Sequence, residues 1–248
     1  VQHQNSSTYA DSGLENQLIE ARKSGLLFIE QIRSRQLIQA GFQTELVQRA
    51  IYELAAQILY PPGQKPRFWH RQILRAGADT IYPYCVKTRN NLIQPGDIVF
   101  VDLGPVLSIG TEVDLGRSLI VPEPNIDPEK LRICDDCERL FVKGKTYYLQ
   151  NQHMTGRQLY EHMQYLAEEY GWKLSSQRHS GHLIGIFPHE QILGDTEFDY
   201  ICPENTKPMS ALDRFGHQRY WILEVHLIHP QNLFGAFYED LLIDTPHA

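Results

Sequence analysis

Cysteine is scarce in this chain, and basic runs and long apolar runs are missing from it altogether. Its four cysteines (Cys85, Cys134, Cys137 and Cys202) are too few and too scattered over 248 residues for a disulfide framework. The fold must rest on an apolar core instead, and 42% hydrophobic residues suffice for one. Cys134 and Cys137 form a CxxC, but no second pair completes a zinc site and no strand-turn-helix pattern surrounds it, so both read as ordinary helical cysteines. No stretch approaches ~18 apolar residues, and Val1 to Asp11 lacks the charged-then-apolar pattern of a secretory signal. A cytoplasmic protein with no membrane partner is expected. The formal charge of −7, from 30 acidic against 23 basic residues, gives no electrostatic case for a nucleic-acid partner either. No linker-like or low-complexity segment divides the chain, so a single domain is expected over 1–248, with 1–13 a flexible lead and no extra N-terminal domain.

What is present is periodicity. Between Leu14 and about Leu37, the residues Leu18, Ala21, Gly25, Phe28 and Ile32 step by three and four, which predicts an amphipathic helix. After Gly41, Thr44 suits the N-cap of a second helix marked by Val47, Ala50, Ile51, Leu54, Ala55 and Ile58 and stopped by Pro61 and Pro62. Ile98 to Val101 and the run ending in Leu119, Ile120 and Val121 are rich in β-branched residues and predict a hairpin. Asp127 followed by Pro128 predicts a helix to about Lys143, and Thr155 opens another lined by Leu159, Met163, Leu166 and Tyr170. Tyr220 to Ile228 and Ala236 to Ile243 again read as strands. Helices, hairpin, helices, hairpin is an α+β order, because the strands come in pairs and do not alternate singly with helices.

The apolar strands carry carboxylates that need a reason. Asp102 ends the first strand of the predicted hairpin and Asp114 follows twelve residues later, so a hairpin would set the two side by side. Like charges that close require a cation, a shared proton or a basic partner, although each Asp alone also suits a turn ahead of Gly104 or Gly116. In RYWILEVHLI, alternation puts Tyr220, Ile222, Glu224, His226 and Ile228 on one face and Trp221, Leu223, Val225 and Leu227 on the other. Glu224 there, and Glu239 in AFYEDLLI, call for an ion pair or a metal. His182 stands among small and apolar residues in HSGHLIGIFPHE, with His189 seven positions on; alone it reads as a hydrogen-bonded core histidine. Together, four carboxylates and an imidazole form an all-oxygen-and-nitrogen set suited to Mn, Co, Fe or Zn, and the carboxylates balance two divalent ions.

The order and spacing of VDLG, EVDLGRS, SGHLIG, ILEV and YEDLL resemble the pita-bread metallopeptidase family that includes methionine aminopeptidase, Xaa-Pro aminopeptidase, prolidase and creatinase, over about residues 14–243. The resemblance implies an α+β pita-bread fold with pseudo-twofold symmetry, an antiparallel-rich sheet flanked by helices, and two divalent metal ions. Asp102 would ligate one metal, Asp114 and Glu239 would bridge the pair, and His182 and Glu224 would complete the second. A metal-bridging hydroxide would cleave an amide bond of a peptide or peptide-like small molecule, with Glu224 shuttling the proton and His189 hydrogen-bonding the substrate carbonyl or the oxyanion. Two departures stand out. The family's further histidine, some eighteen residues before the first metal Asp, is Tyr84 here, a phenol that donates a hydrogen bond but does not act as an imidazole; whether Tyr84 or the upstream His70 in FWHRQ takes that histidine's place is left open by the sequence. The second is EVH at 224–226, where peptidases of the family often read EP, which makes His226 either a partner of Glu224 or a strand histidine. These departures keep open a non-peptidase enzyme acting on a small metabolite, as creatinase and ectoine hydrolase do, and a catalytically inactive binding module. A homodimer is the default expectation. Asp79, Arg117 and His179 lie near the site segments and are equally explained as surface or capping residues.

Overall fold

Two helices open the chain, α1 over Ser6–Ser34 and α2 over Thr44–Ile58. The computed structural model describes residues 6–151, 153–175, 178–188, 196–213 and 216–244, apart from the side chains of 6–12, 196 and 197. Leu18, Ala21, Phe28 and Ile32 are buried along α1, as their spacing predicts. Among the described residues the helix begins at Ser6. Gly25 lets α1 lie against the sheet, since a Cβ there would come within 2.5 Å of Leu115 and Val113. Thr44 does not cap α2. Gln43 holds that position without a side-chain bond, and the Thr44 hydroxyl instead donates to Asn90 Oδ1 (3.2 Å) and accepts from Asn91 N–H (3.1 Å), tying the helix start to a loop.

Three strands follow, β1 (Ile73–Ala76), β2 (Ile98–Leu103) and β3 (Leu115–Ile120). Then come α3 (Pro128–Gln150), α4 (Gly156–Glu169), the two-residue strands β4 (Lys173–Leu174) and β5 (Leu183–Ile184), and the long hairpin of β6 (Tyr220–Ile228) and β7 (Gly235–Leu241). Asp127 caps α3 by accepting from Glu129 N–H at 2.9 Å, with Pro128 in the first turn, and the helix runs past Lys143 to Gln150. Thr155 and Gln158 form a reciprocal capping box on α4. Every strand pairing is antiparallel, and the sheet order is β1-β2-β3-β7-β6-β4 with β5 beside β6. Outward from the β3/β7 junction, β2 and β1 on one side mirror β6 and β4 on the other, and two helices precede the strands of each half. This is the internal symmetry the resemblance implies.

The helices pack on one face of the sheet. Val99, Val101 and Leu103 of β2 meet Phe28, Ile32 and Ile51 of α1 and α2, while Trp221, Leu223, Val225 and Leu227 of β6 meet Ile133, Leu140, Leu159 and Met163 of α3 and α4. The opposite residues of each strand, among them Asp102, Glu224 and Glu239, therefore face away from the helices. Cys134 and Cys137 both lie on α3, and burial pushes their thiols up, Cys134 to about 12, so neither forms a ready thiolate. Among the described residues, no helix is long and apolar enough to cross a membrane.

Candidate metal centre

Pairing across the sheet lines up Ile73 on β1, Asp102 on β2, Gly116 on β3, Glu239 on β7 and Glu224 on β6 as one row of neighbours. Directly paired residues share a face, so the carboxylates converge on the side away from the helices. Gly116 is required in the middle of the row. A Cβ there would lie 2.2 Å from Cε1 of the Phe237 ring and 3.0 Å from Glu239 Cβ. The register corrects one expectation: Asp102 sits opposite Gly116, not Asp114. Asp114 lies two residues before that pairing, ahead of β3, and the period of two keeps it on the same face.

Two histidines enter from opposite sides of this row. His182 lies just before β5, where its carbonyl accepts from Ile222 N–H at 2.8 Å. Its Nδ1 is 2.6 Å from Leu183 O, and its Nε2 is 3.0 Å from Asp114 Oδ2 and 3.9 Å from Glu224 Oε1. His70 lies just before β1, next to Trp69, whose N–H donates to Gly104 O at 2.9 Å. Its Nε2 is 3.3 Å from Asp102 Oδ1 and 3.4 Å from Asp114 Oδ1. Together with Trp69, Tyr84, His179 and Tyr200 these groups line a cavity of about 190 Å³.

Tyr84 stands half-exposed at the cavity mouth, on a loop clamped by two arginines of the β1 segment. Arg71 donates to Tyr84 O at 2.5 Å, and Arg75 donates to Val86 O at 2.5 Å and Pro83 O at 3.3 Å. His179 is part of the site: its ring centroid is 4.6 Å from that of Tyr200 and 5.8 Å from that of Tyr84, and its Nδ1 is 3.7 Å from Glu224 Oε1. His189 lies outside the described residues. His226 shares the face of Glu224 but is a strand histidine, with Nε2 at 2.7 Å from Thr80 O and its ring between Phe100 and Phe237; burial pushes it down to about 4. Asp79 accepts from Asn91 in the loop (2.5 Å), and Arg117 lies beneath the row, donating to Glu239 O (2.5 Å) and Asp240 (2.7 Å). Trp69 and Tyr200 carry no sequence signal of their own, whereas His179 stands three residues before His182 in the same segment.

The electrostatics are those of an acidic pair of sites held together by imidazoles. Burial drives Glu239 well above the usual carboxylate range, and Asp114, Asp102 and Glu224 beside it add to the rise. Burial lifts Asp102 to about 6 against the opposing pull of His70. Asp114 is lowered despite its burial, because His182 and His70 both reach it. Burial would lower the two imidazoles, yet Asp102 and Asp114 hold His70 up at about 9, and Asp114 and Glu224 do the same for His182. Asp114 Oδ1 and Glu239 Oε2 are buried without a hydrogen-bond partner. Among the described residues lining the cavity, the exposed Arg71 is the sole fixed cation. Vacant carboxylate lone pairs in so acidic a cavity fit divalent cations. Among the described residues two groups have the geometry, His70 with Asp102 and Asp114, and Asp114 with His182 and Glu239, the ligand atoms of each lying within 4.8 Å of one another.

No curated protein matches the sequence significantly. Among solved structures, X-Pro aminopeptidase from Thermotoga maritima superposes with a TM-score of 0.67 at 16% identity, covering 96% of this chain and 63% of that one. Prolidase from Thermococcus sibiricus gives 0.65 at 16% identity, and the match, 92% of this chain, spans only 57% of the prolidase. Methionine aminopeptidase from Thermotoga maritima gives 0.60 at 16% identity, over 90% of this chain and 93% of that one. At such identities the likeness is one of fold, the expected pita-bread arrangement. The model of metallopeptidase family M24 matches residues 22–243, which takes in α1 from Arg22 onward, the other three helices, the whole sheet and every residue of the carboxylate row, and the chain belongs to that family.

Proposed function

We propose that this chain is a two-metal hydrolase that cleaves an amide bond of a peptide or peptide-like small molecule. The observation that carries the reading is Asp114, a buried carboxylate approached by an imidazole on each side while one of its oxygens stays without a hydrogen-bond partner. A carboxylate shared between two ligand groups is what a bridging role requires. Asp102, Asp114, His182, Glu224 and Glu239 would hold two ions of the Mn, Co, Fe or Zn class, and Asp114 and Glu239 would bridge them. Bound there, such ions supply Lewis acidity toward a carbonyl oxygen and toward a water molecule.

The remaining work falls to side chains. Glu224 takes the proton of the attacking water and hands it to the leaving amine, and its place at the cavity wall beside His179 and His182 gives it access to both. His179 is held down to about 4 by burial and by His182, so it is a neutral imidazole at working pH, able to accept or donate a hydrogen bond. Tyr84 donates its phenol hydrogen to a polar group of the substrate at the cavity mouth. His189 retains its proposed part in binding the substrate carbonyl. A cavity of about 190 Å³ walled by aromatic rings also suits a molecule smaller than a peptide, and this favours a small-metabolite amide as the second reading.

Metal content by elemental analysis, on protein purified without chelator, tests the centre. Near two ions per chain are expected, and an Asp114→Asn, Glu239→Ala variant should lose them. Amine release from a panel of dipeptides, run beside small amides and amidines, then separates the two substrate classes. A wild-type protein that takes up no metal even from added Mn²⁺ or Co²⁺ would sink the hydrolase reading.

A further inference from the structure

We propose that His70 is a sixth protein ligand of this centre, giving the ion held by Asp102 an imidazole of its own. The inference rests on the two-metal reading above and extends it to a residue outside the five-ligand set.

The first support is a shared wiring. In His70 and in His182 alike, Nδ1 faces the carbonyl oxygen of the next residue, Arg71 O at 2.7 Å and Leu183 O at 2.6 Å. A carbonyl only accepts, so each Nδ1 must carry the proton and donate it. Nε2 is then the nitrogen that a metal ion would take in place of the ring's second proton, and in both residues it is the atom aimed at Asp114. An Nδ1–H donated to a carbonyl, with Nε2 turned toward the site, is the usual setting of a metal-bound histidine. The second support is the unsatisfied atom itself. His70 Nε2 is buried and makes no hydrogen bond, although Asp102 Oδ1 and Asp114 Oδ1 lie only 3.3 and 3.4 Å away. Two carboxylate oxygens converging on one ring nitrogen need positive charge between them, a proton on Nε2 in the metal-free protein and a metal ion in its place once the centre is filled. The third is space made for the ring. Gly104 faces it where a Cβ would come within 2.4 Å of His70 Nε2, and the Trp69 indole, donating to Val113 O at 3.3 Å, lies edge-on to His70 at 4.4 Å and to His182 at 5.2 Å between ring centroids. One tryptophan thus braces both imidazoles.

With His70 included, each ion has one nitrogen donor among carboxylate oxygens. Imidazole ligands suit Zn, Co and Fe better than Mn, so the centre should prefer the borderline ions.

Proton NMR of the Co²⁺-loaded protein tests this without relying on activity. A histidine bound to Co²⁺ through Nε2, with Nδ1–H held by a carbonyl, gives one strongly shifted resonance that is present in H₂O and absent in D₂O. Two such resonances are expected, one disappearing in His70→Asn and the other in His182→Asn. His70→Asn should also weaken binding of one Co²⁺ by roughly 10- to 100-fold or more, the loss typical of disturbing the partners of a metal ligand. Because the wild-type resonance count is itself decisive, a poorly folding variant would not leave the question open. Two bound Co²⁺ with no resonance or affinity dependent on His70 would overturn this proposal and leave the two-metal reading standing, whereas no Co²⁺ uptake at all would overturn both.

Discussion

Stripped of metal, the protein should lose stability steadily as pH rises from about 4.5 to 9, the reverse of the usual response of a protein held by ionised carboxylates. Glu239 binds its proton more tightly in the fold than in the unfolded chain, so its contribution is present at low pH and is lost as pH climbs above 4.5. Asp102, lifted from 3.8 to about 6, acts in the same direction across that window. His70 and His182 rise from 6.5 to about 9; the stability they contribute is full below 6.5 and disappears as pH passes through about 9. Asp114, lowered, works the opposite way, but only below its ordinary 3.8. At about 1.4 kcal/mol for each pKa unit, one such histidine accounts for about 3 kcal/mol between pH 6.5 and 9. The two share Asp114, so about 3 kcal/mol is the loss expected even if only one counts in full, a large part of a typical domain's ~5–15 kcal/mol. Urea midpoints followed by tryptophan fluorescence at pH 6.5, 7.5 and 8.5, with chelator and with saturating Co²⁺, measure it. The metal-free midpoint should fall and the loaded one should not, and metal uptake at pH 7 should release protons. A metal-free midpoint that stays level or rises over this range would refute the assignment of the two imidazoles to Asp102 and Asp114.

Other perturbations separate packing from chemistry. Gly116→Ala drives a methyl group into Phe237 and should cost about 1–3 kcal/mol in the urea midpoint, with weaker Co²⁺ binding in a titration because Glu239 must shift. Asp240→Asn removes a buried carboxylate that Arg22 contacts at 2.5 Å and Arg117 at 2.7 Å, and a loss of about 3–5 kcal/mol is expected in the same assay. Glu224→Gln should lower kcat by roughly 100-fold or more against the best substrate. Tyr84→Phe should leave metal content and melting temperature unchanged while lowering kcat/KM by about tenfold, the worth of one hydrogen bond of ~1–1.5 kcal/mol.

Much of this was legible in the residues, for identifiable reasons. The alternation through Tyr220 to Ile228 persists over nine positions, enough to fix both the strand and the face on which Glu224 sits. Asp127 with Pro128, and Thr155 with Gln158, are local signals whose partners lie within three residues, so the starts of α3 and α4 could be read directly. The approach of His70 to Asp102 could not. It is made by pairing β1 with β2, and a four-residue strand reading ILRA has too little pattern to announce itself or its register. The same limit hid the offset of Asp114: twelve residues between two aspartates fit a hairpin, but the register depends on how the connection turns. The place of Thr44 escapes a local reading because its hydroxyl answers to Asn90 and Asn91, far along the chain. His179 shares a segment with His182, yet only the folded chain sets it between Tyr84 and Tyr200.

The junction of β3 with β7 carries a consequence of its own. The sheet is continuous there through the single pairing of Gly116 with Glu239, helped by the Ser118 hydroxyl that bonds the Phe237 backbone. On either side of that seam, one half of the chain supplies His70, Asp102 and Asp114, and the other supplies His182, Glu224 and Glu239. Ions bound between them would act as rivets through the seam, placed where the backbone ladder is thinnest. Neither half could hold such a centre alone, so filling it and clamping the two halves together would be one event. Metal-loaded protein should accordingly unfold as one unit, and depleted protein should begin to open along this line.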